Sequence, residues 1–128
     1  MATSSGAEKT LYARIGGYDT LALIVDEFLQ TAAVDPRMER FANAMSLDSR
    51  RRNRQLTLDY LCAAAGGPAF YLGKDMKSAH AGLAISSQEW RTSMEHVERA
   101  LKKFKVDEQE SQELCALIED LRNQIVER

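Results

Sequence analysis

Residues 66–86 read GGPAFYLGKDMKSAHAGLAIS. Two glycines and a proline stop whatever precedes them, because proline lacks a backbone donor and pushes its predecessor away from helical geometry. The residues beyond show no clear period, and then His80 arrives, one of two histidines in the chain. A loop this long inside a compact domain is uncommon and is often functional. Two readings stand: a surface loop with an incidental histidine, or a loop that holds the histidine against something. Met76, Ala79, Leu83 and Ile85 flank His80 and give it an apolar wall.

On either side of this stretch the apolar spacing is helical rather than strand-like. A short helix is expected over Glu8 to Arg14, stopped by Gly16-Gly17. The next runs from a cap at Asp19 to about Ala33, with Leu21, Ile24, Val25, Phe28 and Ala32 as its stripe. Asp35-Pro36 starts a turn of helix through Phe41, since proline suits a first helical position. Residues 43–49 read as a loop, and a helix from Ser49 to Ala65 follows. Ser86-Ser87-Gln88-Glu89 is a capping box, in which serine and glutamate each answer the other's free amide. The helix behind it places Trp90, Met94, Val97, Leu101 and Phe104 on one face. Asp107 to Glu110 signals the last helix, which lines up Leu114, Leu117, Ile118, Leu121 and Ile125. The fold class is therefore all-α, one core surrounded by four long helices and a few short ones.

The chain has 128 residues, 45% hydrophobic and 28% charged, with a formal net charge of −2. That balance gives no general attraction to nucleic acid or acidic membranes. No apolar run approaches the ~20 residues that span a bilayer. The opening MATSSGAEKT has no apolar signal core, so residues 1–9 read as a polar tail, residues 10–128 as one domain, and the expected location is the cytoplasm. Cys62 and Cys115 lie far apart in apolar helical stretches and read as reduced core thiols.

No nucleophile elbow, zinc-binding His-Glu-x-x-His or phosphate loop is present. His96 falls off the main stripe of its helix, which suggests a surface or edge role. Arg50-Arg51-Arg52-Asn53-Arg54 puts cations at the positive end of a helix, where they are unfavourable. They read as a solvated face, or as side chains in which Arg50 or Arg54 reaches a cofactor's carboxylate or the mouth of its pocket; a nucleic-acid patch is disfavoured, because no aromatics interleave the run and the net charge is negative. A neutral imidazole beside an apolar pocket, as at His80, is what binds haem iron from one side.

The chain resembles the group I truncated haemoglobins from about Thr10 to Ile125. LYARIGGYDTLALIVDEF is similar to that family's opening segment with its glycine pair. YLCAAAGGP resembles the end of the distal helix, and MKSAH followed by AGLAIS resembles the proximal segment that ends in the iron-ligating histidine. The resemblance implies a two-over-two helical sandwich around one haem b, with His80 as the metal ligand. It implies that Tyr71, Met76, Ala79, Ile85, Trp90, Val97, Leu114 and Ile118 line the proximal side and haem edges. Phe28, Tyr60 and Leu61 then line the distal side. Lys74 and Lys77 become candidates to meet the propionates, or stand as solvated charges.

The sequence departs from the family on the distal side. Leu29 stands where many members carry an oxygen-bonding tyrosine, and Asn53 and Thr57 stand where glutamines are frequent. Thr57 is expected to back-bond to its own helix. Phe41 is favoured over Ala42 as the residue that packs on the haem. The implied function is reversible binding of oxygen, carbon monoxide or nitric oxide. One alternative is a nitric oxide dioxygenase served by a separate reductase, which Leu29 disfavours. Another is a haem-free helical interaction module.

Overall fold

A computed structural model of the chain describes residues 9–128. Residues 1–8 of the tail, among them Glu8, expected to open the first helix, lie outside the described residues. Among the described residues every regular element is a helix. In chain order these are α1 (Leu11–Ile15), α2 (Gly17–Ala33), α3 (Glu39–Asn43), α4 (Leu47–Ala64), α5 (Met76–His80), α6 (Ser87–Lys103), α7 (Glu108–Glu119) and α8 (Arg122–Ile125).

Local chemistry explains several boundaries that differ from expectation. The hydroxyl of Thr10 accepts from the amide of Ala13 and starts α1. Asp19 lies inside the first turn of α2, while Gly16 occupies the cap. The Asp35 carboxylate captures the amide of Arg37 at 2.9 Å. That bond holds the chain in a turn, so α3 begins at Glu39 rather than at Pro36. Ser46, not Ser49, caps α4: its Oγ accepts from the amide of Ser49 at 3.1 Å. The loop before α4 is correspondingly shorter. The capping box of α6 is complete, with Ser86 and Glu89 reciprocally bonded. Asp107 precedes α7 but makes no side-chain capping bond. The last expected helix breaks at Asp120-Leu121, so Ile125 sits on the separate α8.

Helix α2 packs on both α4 and α6, and α6 packs on α7. The α2/α4 pair therefore lies over the α6/α7 pair. Leu21, Ile24 and Val25 from α2, Leu58 and Cys62 from α4, Val97, Ala100 and Leu101 from α6 and Leu114 from α7 form the main core. Each fully buried leucine or isoleucine there contributes roughly 1.5–3 kcal/mol relative to an exposed one. A second cluster joins Ile85, Trp90, Met94 and Ile125, with Phe41, Met76 and Ile118 packed against it. The two cysteines are free thiols, Cys62 buried and Cys115 partly so.

The glycine pair that ends α4 allows α1 to approach. The amide of Tyr12 donates to the carbonyl of Ala65 at 2.9 Å. A Cβ on Gly67 would stand 2.5 Å from the Tyr12 ring, and Gly66 adopts φ +91°. At the other end of α1, Arg14 bonds both carboxylate oxygens of Glu113 at 2.7 Å and Glu110 at 2.8 Å, tying α1 to α7. No helix among the described residues is long and apolar enough to cross a membrane.

Candidate functional site

After Pro68 the chain runs without regular structure to Asp75, alternating its side chains. Phe70 and Leu72 are exposed, whereas Tyr71 between them is partly buried. The Tyr71 ring meets Tyr60 of α4 edge to face, with centroids 5.1 Å apart, and its hydroxyl donates to the carbonyl of Lys74. Asp75 then caps α5, accepting from the amide of Ser78 at 3.1 Å. That single turn ends at His80.

His80 is half-buried. Its Nδ1 lies 2.8 Å from the carbonyl of Met76. A carbonyl only accepts, so Nδ1 carries the proton and donates, which leaves the lone pair on Nε2. Nε2 makes no hydrogen bond among the described residues. Met76 and Ile85 flank this imidazole in the sequence and share the second core cluster with Trp90 and Ile118. Val97 and Leu114 lie in the main core instead. Ala79, Lys74 and Lys77 are exposed, and neither lysine has an ion-pair partner among the described residues.

Leu29, Ala33, Ala42, Met45 and Asn53 border a groove of about 510 Å³ between α2 and α4, which His80 does not line. Phe41 faces the other way, into the cluster of Trp90 and Ile85. So Phe41 and Ala42, adjacent in sequence, serve different surroundings. Phe28 and Leu61 pack against the main core. Tyr60 and Thr57 are half-buried. Contrary to expectation, the Thr57 hydroxyl makes no bond to its own helix, unlike those of Thr31 and Thr92. Asn53 likewise makes no side-chain hydrogen bond among the described residues.

The arginine run is only partly a solvated face. Arg54 forms a two-pronged ion pair with Asp26 of α2, at 2.8 and 3.1 Å. Arg50 donates from Nε to the carbonyl of Ala42 at 3.1 Å. Both thus fasten the start of α4. Arg51 lies 3.8 Å from exposed Asp48.

His96 corrects the sequence reading. It is 3% exposed, not a surface residue, and its Nε2 lies 2.7 Å from Asp35 Oδ2. Its Nδ1 is buried without a partner. The signal that could have revealed this was spacing. Thr92, His96 and Ala100 recur every fourth residue, and all three are buried.

Among the described residues no three His, Cys, Asp or Glu side chains gather as a metal site. A bare cation would need three or four such ligands. Of the four apolar neighbours expected to wall in His80, Ala79 and Leu83 are exposed, and only Met76 and Ile85 join the second cluster; one imidazole oriented by its own turn is still the donor type for a metal already held by a macrocycle. The residues present therefore fit haem.

A helical two-over-two sandwich with one such histidine defines a small globin. Residues 10–127 match the bacterial-like globin family, and the chain belongs to it. It is similar to the group 1 truncated hemoglobin of Tetrahymena pyriformis, 25% identical over 118 residues that cover 92% of this chain and 95% of that protein. Against group 1 truncated hemoglobin GlbN of Mycolicibacterium paratuberculosis the identity is 28%, over 91% of this chain and 83% of that one. The crystal structure of the Tetrahymena pyriformis protein in its Fe(III) form superposes with a TM-score of 0.85, covering 94% of this chain and 100% of that one at 25% identity. Hemoglobin from Chloroflexus aurantiacus gives 0.81, covering 94% and 99%, also at 25% identity. The chain is thus a truncated haemoglobin, a haem-binding globin of the two-over-two fold.

Proposed function

We propose that this protein holds haem b through Nε2 of His80 and binds a diatomic gas reversibly on the Leu29 side. Haem, when bound, supplies the iron at which the gas coordinates. The observation that carries this reading is the His80 imidazole, whose Nδ1–H is fixed on the carbonyl of Met76 at 2.8 Å. Such a bond sets the tautomer, holds the ring and raises the basicity of the free nitrogen.

The remaining residues have distinct tasks. Met76, Ile85, Trp90 and Ile118 form an apolar wall that keeps water from the ligating nitrogen. Lys74 and Lys77, exposed and unpaired among the described residues, suit the propionates as charge-assisted partners. Leu29 has no donor for a bound gas, so retention of oxygen rests on the Asn53 amide and the Thr57 hydroxyl. A net hydrogen bond is worth about 1 kcal/mol, and the absent tyrosine makes oxygen leave faster than from a tyrosine-bearing relative. Nitric oxide dioxygenation would need long oxygen retention and a separate reductase, and Leu29 works against the first.

Absorption spectra of the ferric, ferrous and carbonmonoxy forms after haem titration test this. Wild type should give a Soret band, and His80→Ala should lose the normal ferrous-CO spectrum. An unchanged spectrum in that variant rejects His80 as ligand.

A further inference from the structure

The turn that follows His80 carries more external hydrogen bonds than its exposure requires. The amide of Gly82 donates to Glu127 Oε2 at 3.2 Å, and that of Ala84 to Glu127 Oε1 at 2.7 Å. From the other side Nη2 of Arg40 donates to the carbonyls of Leu83 at 3.0 Å and Ala84 at 3.3 Å. The carbonyl of Ile85 accepts from the amides of Glu127 at 2.8 Å and Arg128 at 3.2 Å. The amide of Leu83 returns to the carbonyl of His80 itself at 3.2 Å. Residues 82–85 are thereby gripped by the segment after α8 and by α3, two parts of the chain distant in sequence.

The grip answers a backbone need. Ala84 has φ 53°, a left-handed conformation that a residue with a Cβ adopts only where its surroundings impose it. Gly82 has φ 84°, so the turn leaves α5 abruptly. One carboxylate and one guanidinium bond the backbone of the turn from either side. Arg40 is itself held: Nε and Nη2 bond the two oxygens of Glu89 at 2.8 and 2.9 Å, and Glu89 is locked in the capping box of α6. Its guanidinium carbon also sits 4.1 Å from the centroid of the Phe41 ring. The same side chain therefore touches Phe41, which packs with Trp90 and Ile85, and the carbonyls beyond His80.

We propose that Arg40 and Glu127 are positioning residues for His80, fixing the imidazole relative to the haem by clamping residues 82–85 from opposite sides. The proposal rests on His80 being the iron ligand. A loosened turn lets the ring tilt and rotate, which weakens the axial bond. Neither residue bonds the imidazole itself; both act through the backbone of the turn. Arg40 adds a consequence: movement of α3 is transmitted to the proximal side through one guanidinium.

The test uses the haem-loaded full chain. Resonance Raman of the ferrous ligand-free protein reads the iron–histidine stretch. Haem transfer to excess apomyoglobin reads retention, and amide hydrogen exchange of the carbonmonoxy form reads the clamp. Glu127→Ala and Arg40→Ala should shift or broaden the stretch, speed haem loss by about tenfold, the usual scale for groups that orient a metal ligand, and speed exchange at Gly82 and Ala84. Glu127→Gln keeps one acceptor and should fall between, which guards against a variant that does not fold. Arg14→Ala, which breaks the α1–α7 ion pairs, controls for lost stability and should leave the stretch in place. Faster exchange with an unmoved stretch overturns the proposal, as does an equal shift in Arg14→Ala. A His80→Ala protein that retains the wild-type stretch overturns the ligand assignment, and the clamp proposal with it.

Discussion

Nε2 of His96 and Oδ2 of Asp35 meet at 2.7 Å across 61 residues of sequence. The pair joins the middle of α6 to the turn between α2 and α3. Arg37 reinforces it, bonding Asp35 at 2.9 Å and reaching Glu95 at 3.4 Å. Ser93 adds a contact to the sulfur of Met38 at 3.4 Å. The turn that sets the direction of α3, and so of Phe41 and Ala42, is therefore pinned to α6 by polar contacts around a buried imidazole.

Removing that imidazole should be costly. His96→Ala deletes a hydrogen bond to a charged group and opens a gap beneath the turn. A loss of about 2 kcal/mol is expected, within the usual range for a bond to a carboxylate. The unpartnered Nδ1 keeps the figure from being larger, since the wild type already carries one unsatisfied atom. Chemical denaturation of the haem-loaded protein measures it. A variant as stable as wild type would show that the pair contributes nothing.

Acid should weaken the fold over a definite range. Arg14 holds the Glu113 carboxyl at about 2 through its side-chain bonds, and Arg40 does the same for Glu89, also at about 2. Arg37 first, then His96, keep Asp35 well below the ordinary carboxylate value. A depressed folded-state pKa means the unfolded chain binds protons first. These groups therefore stabilise fully above the unfolded value of about 4.3, and the contribution is lost as pH falls toward 2. The thermal midpoint should drop between pH 5 and pH 3 (roughly the upper part of that range). In a Glu89→Gln, Glu113→Gln variant the midpoint starts lower but falls less. Parallel curves for the two proteins would count against these carboxylates as the source.

The close approach of α1 to the end of α4 makes a third prediction. Gly67→Ala puts a methyl group 2.5 Å from the Tyr12 ring, and the ring belongs to the wall of the main core. Overpacking of this kind costs about 1–3 kcal/mol. Tyr12→Ala should relieve the clash, so the double variant should lose less than the two single losses added. Strict additivity in denaturation would mean that the two residues do not meet.

What the sequence disclosed follows the range of the interactions. The α6 capping box involves residues three apart and was legible, as was the stripe of Trp90, Met94, Val97 and Leu101. The break after α4 was legible because Gly66, Gly67 and Pro68 stand together, and the single turn that follows ends at His80. Boundaries set by competing caps were less so: Ser46 and Ser49 are both good caps, and only the fold shows Ser46 in use. The burial of His96 was hidden because its partner is 61 residues away. Arg40 and Glu127 were missed for a different reason. They bond backbone groups of the turn, and backbone groups leave no signature in the sequence. Glu89 could be read as a cap, but its second bond, to Arg40, could not.

On the proposed function, Leu29 is the residue through which ligand retention can be changed most directly. It borders the α2–α4 groove with Ala33, Ala42 and Asn53, and that groove holds about 510 Å³. Leu29 also packs against the main core, so it stands between that core and the groove. Leu29→Tyr introduces a hydroxyl donor on the side where the proposed function puts the gas. One added hydrogen bond to a partly negative ligand, at ~1.4 kcal/mol, corresponds to about a tenfold slower oxygen dissociation. Carbon monoxide carries less charge, so its dissociation should change much less. Stopped-flow displacement of each gas from the ferrous protein separates donation from crowding. A tyrosine that donates slows oxygen selectively, whereas one that merely fills space alters both gases alike. The second result would remove Leu29 from the account of oxygen retention and leave Asn53 and Thr57 to carry it.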